Sequence, residues 1–216
     1  MTTQSEKRPV TLPIRTDTLA TLLQSRRSVR KFQNQPVSPE FIEQILEAAR
    51  WAPSPHGRQP WRFAVLTAQK LKFRLADEMG STWRQNLQME GQDAEIVNIR
   101  LEKSSQRILN APVIIIPCLY LEDLDYYPDE RRQADEKTMA IQSIGAAIQN
   151  MLLMAFDLGL DSGWMCAPLF CPEIVCEVLD LDPRLIPQAL ITVGYAAADP
   201  QRRERLPLSS LIVRFD

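Results

Sequence analysis

The spacing of apolar positions along the 216-residue chain changes several times, and each change predicts an element. From Pro36 to Trp51, Phe41, Ile42, Ile45, Leu46, Ala48 and Ala49 recur with a period near 3.6, behind Ser38 as N-cap and Pro39 at the first helical position. That pattern predicts an amphipathic helix. From Met139 to Leu160 the sequence MAIQSIGAAIQNMLLMAFDLGL is apolar on nearly every side, which predicts a buried helix around which the rest is arranged. Gly145, Ala146 and Ala147 allow another backbone to approach it closely. A membrane span is the rival reading, but Gln149 and Asn150 interrupt the stretch, Asp157 follows, and no run of ~18 uninterrupted apolar residues exists. One chain offers few partners for so apolar a helix, so a helix of a second copy is the expected neighbour.

Shorter elements flank it. Residues 1–15 are polar and read as an arm. Thr16 and Asp17 are candidate caps for a short helix through Leu19, Leu22 and Leu23, ending near Ser25. Arg62–Thr67, Ala111–Tyr120 and Pro187–Ala196 read as strands, the β-branched run APVIIIPCLY as one buried on both faces. Residues 68–109 read as charged helix with a break at Gly80-Ser81 and form a candidate lid. The stretch LEDLDYYPDERRQADEK reads as a loop leading into the central helix. Pro172 opens a short helix. Leu211–Phe215 is apolar and strand-like, and is expected to pair with a sheet, that of a partner subunit. The sum is a helix-rich α+β sandwich, one domain over residues 16–216.

Composition narrows the function. A hydrophobic content of 45% suffices for one core, or for a core completed by a twin subunit. A net charge of −2 offers no general attraction to nucleic acid or to an anionic membrane. The first ten residues, MTTQSEKRPV, lack the apolar stretch of a signal peptide, so a cytoplasmic location is expected. Cys118, Cys166, Cys171 and Cys176 form no C-x-x-C pair, and His56 is the only histidine. This pattern argues against zinc and for reduced, mostly buried thiols. A hydrolytic triad would have to be built on His56, and no G-x-S-x-G accompanies it. His56 lies in a loop stiffened by Pro53 and Pro55. A lone loop histidine reads first as a hydrogen-bonded structural residue, and no chemistry is assigned to it.

Local charge adds a site. Arg26, Arg27, Arg30 and Lys31 fall within six residues around Ser28. Close cations repel by ~4 kcal/mol at 4 Å under an effective dielectric near 20, which an anion would relieve. A solvated basic turn is the bland alternative. Forked guanidinium donors beside a hydroxyl favour phosphate.

Four segments together, RRSVRKF, APSPHGRQPWRF, GAAIQNMLLMAFDLGL and VGY followed by RERLP, resemble the FMN-dependent nitroreductase family over residues 20–216. Within it, A-P-x-P-H and Y-P-D-x-R-R-x-A-x-x-x-T-M are similar to the flavin domain fused to the glutamyl ligase of the deazaflavin coenzyme pathway. The resemblance implies an α/β/α sandwich with a central mixed, mainly antiparallel sheet, a long buried helix and a domain-swapped C-terminal arm. It implies a homodimer holding FMN at its interface, with NAD(P)H as electron donor. Arg26, Arg27, Ser28 and Arg30 would take the phosphate and ribityl chain, closed by Arg203 and Arg205. Pro53, Ser54, Pro55 and Gly57 of the other subunit would reach the isoalloxazine, with Gly57 standing where many members carry Asn. Ser143 and Gly145 would lie beside the ring, and the N–H groups of Trp164, Met165, Cys166 and Ala167 would face N5. His56, Trp83, Arg84, Tyr127, Arg131 and Arg132 would form the acceptor side. The implied activity passes hydride through flavin N5 to an aromatic or quinone-like acceptor, so the protein needs no nucleophile. Two alternatives stay open: a reductase or binder of a deazaflavin coenzyme or its dehydro precursor, and a flavin-binding protein without turnover. No Rossmann fingerprint exists from which to choose NADH over NADPH.

Overall fold

The computed structural model describes residues 18–198 and 204–216. Five strands form one antiparallel sheet: β1 (Trp61–Leu66), β2 (Val113–Tyr120), β3 (Asp161–Met165), β4 (Leu185–Pro187) and β5 (Leu190–Gly194). Their order is β1-β2-β5-β3, with the short β4 also paired to β2. The one parallel pairing among the described residues is a single bridge between Ser28 and Ser162, so the expected mixed sheet is antiparallel throughout its strands.

The β2 run explains the layers. Alternate side chains of a strand face opposite sides, and Val113 and Ile115 enter one core while Ile114 and Ile116 enter the other. The first core is covered by α2 (Pro39–Arg50) and α5 (Glu130–Asp157), the second by α3 (Gln69–Met89), the end of α4 (Ala94–Leu109) and α6 (Pro172–Leu179). By length and composition α5 is apolar enough to cross a membrane. Here Ala140, Ile144, Ala147, Ile148, Met151, Leu152 and Ala155 are packed in the first core, and α5 serves as its central helix.

Several boundaries differ from the sequence reading. The central helix begins at Glu130, nine residues before Met139, because Asp129 caps it by accepting the Arg132 N–H at 3.0 Å. Its first turns are polar and exposed, and so carried no apolar signal. The helix predicted after Thr16-Asp17 is α1 (Leu19–Ser25), capped by Thr18 through the Thr21 N–H. No break occurs at Gly80-Ser81; α3 runs through it, and the turn falls after Met89, where Gly91 adopts φ +70. Trp83 therefore sits mid-helix. The sheet after α6 divides into β4 and β5 in place of one strand. Leu211–Phe215 forms no strand with this chain's sheet: a 3-10 turn at Leu208–Ser210 precedes it, and Val213 and Phe215 are exposed. The predicted arm over residues 1–15 lies outside the described residues.

Candidate functional site

The basic cluster is stitched into the fold at the edge of the sheet. The Val29 N–H donates to Ser162 O at 2.8 Å on one side; on the other, Gln33 N–H reaches Tyr195 O at 2.8 Å and Ala197 N–H reaches Lys31 O at 3.0 Å. The segment thus bridges edge strand β3 and the chain leaving β5, and the bland reading of a solvated turn does not describe it. Gly163 makes this approach possible: a Cβ there would stand 2.4 Å from Val29 O and 2.8 Å from Thr192 Oγ1. Only a residue without a side chain fits so close a backbone.

Arg26 leaves α1 as its C-cap, with its N–H on Leu22 O at 3.0 Å. Its Nε is buried without a hydrogen-bond partner among the described residues, as is the Ser162 hydroxyl oxygen on β3. Burial, reinforced by the neighbouring Arg205 guanidinium, pushes the Arg26 pKa below its ordinary value. A buried donor left unmade is costly, and an anion is the kind of acceptor that would meet it. Arg27 is half-buried and Arg30 and Ser28 exposed; Arg203 lies outside the described residues.

The second predicted loop is backbone-strained. His56, Gly57 and Gln59 all have positive φ, at 53, 66 and 50. For the two residues with side chains this costs about 1–2 kcal/mol each. Gly57 meets the requirement without that cost, and Asn, its frequent counterpart in the family, is the next most tolerant residue. The loop is held by Ser54, whose Oγ accepts the Gln59 N–H at 3.0 Å and whose carbonyl accepts the Gly57 N–H at 3.1 Å. Arg58 donates to Asp125, which also lies 4.0 Å from His56 Nε2, and Arg62 pairs with Asp123 at 2.9 Å. Asp123 and Asp125 belong to the acidic stretch LEDLD, whose alternation of acids is the one local signal for them; their pairing with Arg62 and Arg58 is tertiary. Ser162 had none. The 3-10 turn Pro55–Gly57 rests against α5, while Pro53 is exposed at the loop's entry.

On α5, Ser143 is buried and its hydroxyl donates back to Met139 O at 2.7 Å, so only its lone pairs remain for a ligand. A Cβ added to Gly145 would meet nothing within 4 Å, so this flank opens on space. Trp164, Cys166 and Ala167 are exposed at the end of β3, with Met165 half-buried. Burial pushes the Cys118 thiol up to about 12 and raises Cys171 and Cys176 as well, which makes these three inert as nucleophiles.

The acceptor-side residues do not all come together. Tyr127 donates its N–H to Gln133 Oε1 at 2.9 Å, and Arg132 pairs with Asp129 while its guanidinium lies 5.2 Å from the centroid of the Tyr127 ring. The Arg131 guanidinium is exposed with no partner among the described residues. Trp83 and Arg84 stand on α3, across the sheet from α5 within one protomer. There Arg84 donates to Asn98 at 2.8 Å and, with Asp77, Ser81 and Glu102, lines a polar cavity of about 450 Å³ between α3 and α4.

Comparison with known proteins agrees with this architecture. The family model described as "Nitroreductase family" matches residues 23–195. An NADH dehydrogenase of Thermus thermophilus is 29% identical, over 94% of this chain and 98% of that protein. A BluB-like flavoprotein from Clostridium difficile 630 superposes with a TM-score of 0.78 at 24% identity, covering 93% of this chain and 100% of its own. A provisionally named nitroreductase from Desulfovibrio desulfuricans, solved in complex with FMN, gives a TM-score of 0.70 at 27% identity, covering 93% and 98%. With the stitched basic segment, the long core helix and the antiparallel sheet in place, the chain belongs to the nitroreductase family.

Proposed function

We propose that this protein is an FMN-dependent NAD(P)H oxidoreductase that works as a homodimer and reduces an aromatic or quinone-like acceptor. The observation that carries it is the buried, unpartnered Nε of Arg26 beside Arg205. A phosphate monoester supplies the missing acceptor, and charge-assisted bonds from Arg26, Arg27, Arg30 and Arg205, with the Ser28 hydroxyl, would hold it. Arg203 joins this set by family resemblance. Relatives point the same way: the Desulfovibrio protein was solved with FMN, and an NADPH:FMN oxidoreductase of the same fold from Vibrio harveyi with NAD+.

When bound, FMN supplies two-electron transfer between a nicotinamide and an acceptor. The chain's residues supply position. Pro53, Ser54, Pro55 and Gly57 present a rigid backbone rim to a flat ring. The open flank at Gly145 leaves room for it, Ser143 can accept but not donate, and the N–H groups of Trp164 to Ala167 are the donors offered at the ring. The loop of the second protomer completes the site. The exposed apolar C-terminal arm, with Leu206, Leu208, Leu211, Val213 and Phe215, wraps the partner.

Tyr127, Arg131 and Arg132 would meet the acceptor. In the first turn of α5, Arg131 is the guanidinium available to an anionic ligand such as a deazaflavin coenzyme, since Arg132 is engaged by Asp129. Purified protein should be yellow and bleach anaerobically with NADH or NADPH; bound flavin that no nicotinamide reduces would leave a binding protein. Titration of the loaded protein with a deazaflavin coenzyme and with a quinone separates the acceptor classes.

A further inference from the structure

His56 is the chain's only histidine, and its surroundings differ from those of a residue kept for the fold. Its side chain is 64% exposed, and the Asp125 carboxylate lies beside it, with Oδ2 4.0 Å from Nε2. It makes no hydrogen bond within 3.5 Å among the described residues. The backbone beneath it is nevertheless fixed in the left-handed region, φ 53 and ψ 16, by Ser54 on one side and the Arg58–Asp125 pair on the other. Asp125 divides its oxygens: Oδ1 receives Arg58 and Oδ2 faces the imidazole. A strained loop that aims an exposed, unbonded ring is a feature to be explained by a ligand.

The ring-side set has a matching gap. Pro53, Pro55, Gly57 and Gly145 bear no titratable group, the Ser143 hydroxyl is spent on Met139 O, and the acids that remain apart from His56 are the exposed Cys166 thiol and the Tyr127 phenol. Thiols and phenols as classes hold their protons well above neutral pH, whereas an imidazole is the side chain type suited to giving one up near it.

Resting on the oxidoreductase reading above, we propose that His56 is the proton donor to the acceptor, with Asp125 as its positioning residue. A quinone that receives a hydride from reduced flavin at one oxygen carries negative charge on the other, and one proton completes the hydroquinone. Asp125 lies against Nε2, so the proton comes from Nδ1, the nitrogen turned away from it. One N–H bond breaks, one O–H bond forms, and the resulting neutral imidazole regains its proton from water, to which it is exposed. Nicotinamide renews the reductant. Asp125 is the carboxylate beside the ring, and Arg58 pairs with its other oxygen, which leaves the carboxylate to orient the imidazole rather than to hold its proton.

Ferricyanide takes one electron and no proton, so it serves as the internal reference. In stopped-flow reoxidation of the reduced, FMN-loaded protein, His56→Gln should lower the ratio of the benzoquinone rate to the ferricyanide rate by about 100-fold, the usual contribution of a placed general acid. Asp125→Asn should lower the same ratio by less, and added imidazole should restore it in His56→Ala. A second readout needs no turnover. Because one histidine is present, tag-free holoprotein gives a single pair of imidazole ring signals by NMR, and the ring signal of Hε1 should shift when hydroquinone is added. An unchanged ratio in His56→Gln, or a ring signal indifferent to hydroquinone, overturns the proposal while the oxidoreductase reading stands. Wild-type protein that no nicotinamide bleaches overturns both.

Discussion

The middle of the sheet and its β3 edge obey the same chemistry with opposite results. Around β2 and β5, Ile114, Ile115, Ile116, Leu190 and Ile191 are fully enclosed. Even the buried Lys72 is satisfied there, its ammonium on Ala111 O at 2.7 Å. Glu136 on α5, with Oε2 lacking a partner among the described residues, is the exception. At the β3 edge, Arg26 and Ser162 keep buried polar atoms unmet, and the C-terminal arm leaves Val213 and Phe215 bare. A single protomer completes its core and leaves its functional corner unfinished. On the proposed function, a ligand would meet the donors and a second copy would cover the apolar surface.

Predictions that test this contrast differ in size. Ile115→Ala, in the completed region, removes a fully buried side chain facing α5. It should cost about 2–5 kcal/mol in denaturant unfolding, with or without FMN. Gly163→Ala joins the two regions, because its Cβ must displace Val29 O or Thr192 Oγ1. It should cost about 1–3 kcal/mol of stability and weaken FMN binding together, as overpacking does. Stability lost with FMN affinity intact would show that the Arg26–Ser28 segment and the ligand site are independent. Removal of residues after Pro207 should leave the fold intact and shift the protein toward monomer by light scattering, since an interface of more than ~2,000 Å² is expected of an obligate dimer. Smaller again is Arg132→Ala, which breaks an exposed pair and should change stability by less than ~1 kcal/mol.

The smallest effect is an acid limb. Hydrogen bonds from Arg184 hold the Asp182 carboxyl at about 2, below its ordinary value. A depressed carboxyl stabilises the fold above its unfolded pKa and loses that contribution as pH falls through the folded one. The loss therefore falls between roughly pH 4 and 2. Asp182 is half-buried and its pair with Arg184 faces solvent, so salt should weaken the effect, and Asp182→Asn should flatten the limb.

How much of this was legible in the sequence follows from where the information lay. Elements announced by local chemistry were readable: Ser38 and Pro39 start α2 where they should, and the β-branched run 113–120 is a strand buried on both faces. Where the deciding interaction was a cap inside a polar stretch, as at Asp129, periodicity was silent and the helix start was missed by two turns. Glycine misled at position 80, because a helix tolerates one when packing on either side holds, whereas Gly91 with positive φ did end a helix. The basic cluster was visible as charge. Its docking on β3, the orphaned Arg26 Nε and the reach of Asp125 to Arg58 and His56 are tertiary facts with long separations in sequence, and no local pattern encodes them. Trp83 and Arg84 were grouped with Tyr127 by charge and ring alone, and the fold sets them across the sheet from α5.

The central claim is that the Arg26 corner exists for a phosphate. Its most direct test compares FMN with riboflavin, which lacks that group, by calorimetric titration of wild-type protein and Arg26→Ala. Wild type should prefer FMN, and the variant should lose roughly ten- to hundredfold in FMN affinity, the worth of one charge-assisted bond of about 1.5–3 kcal/mol, while its riboflavin affinity stays constant. An Arg26→Ala protein that binds FMN as tightly as wild type would contradict the account.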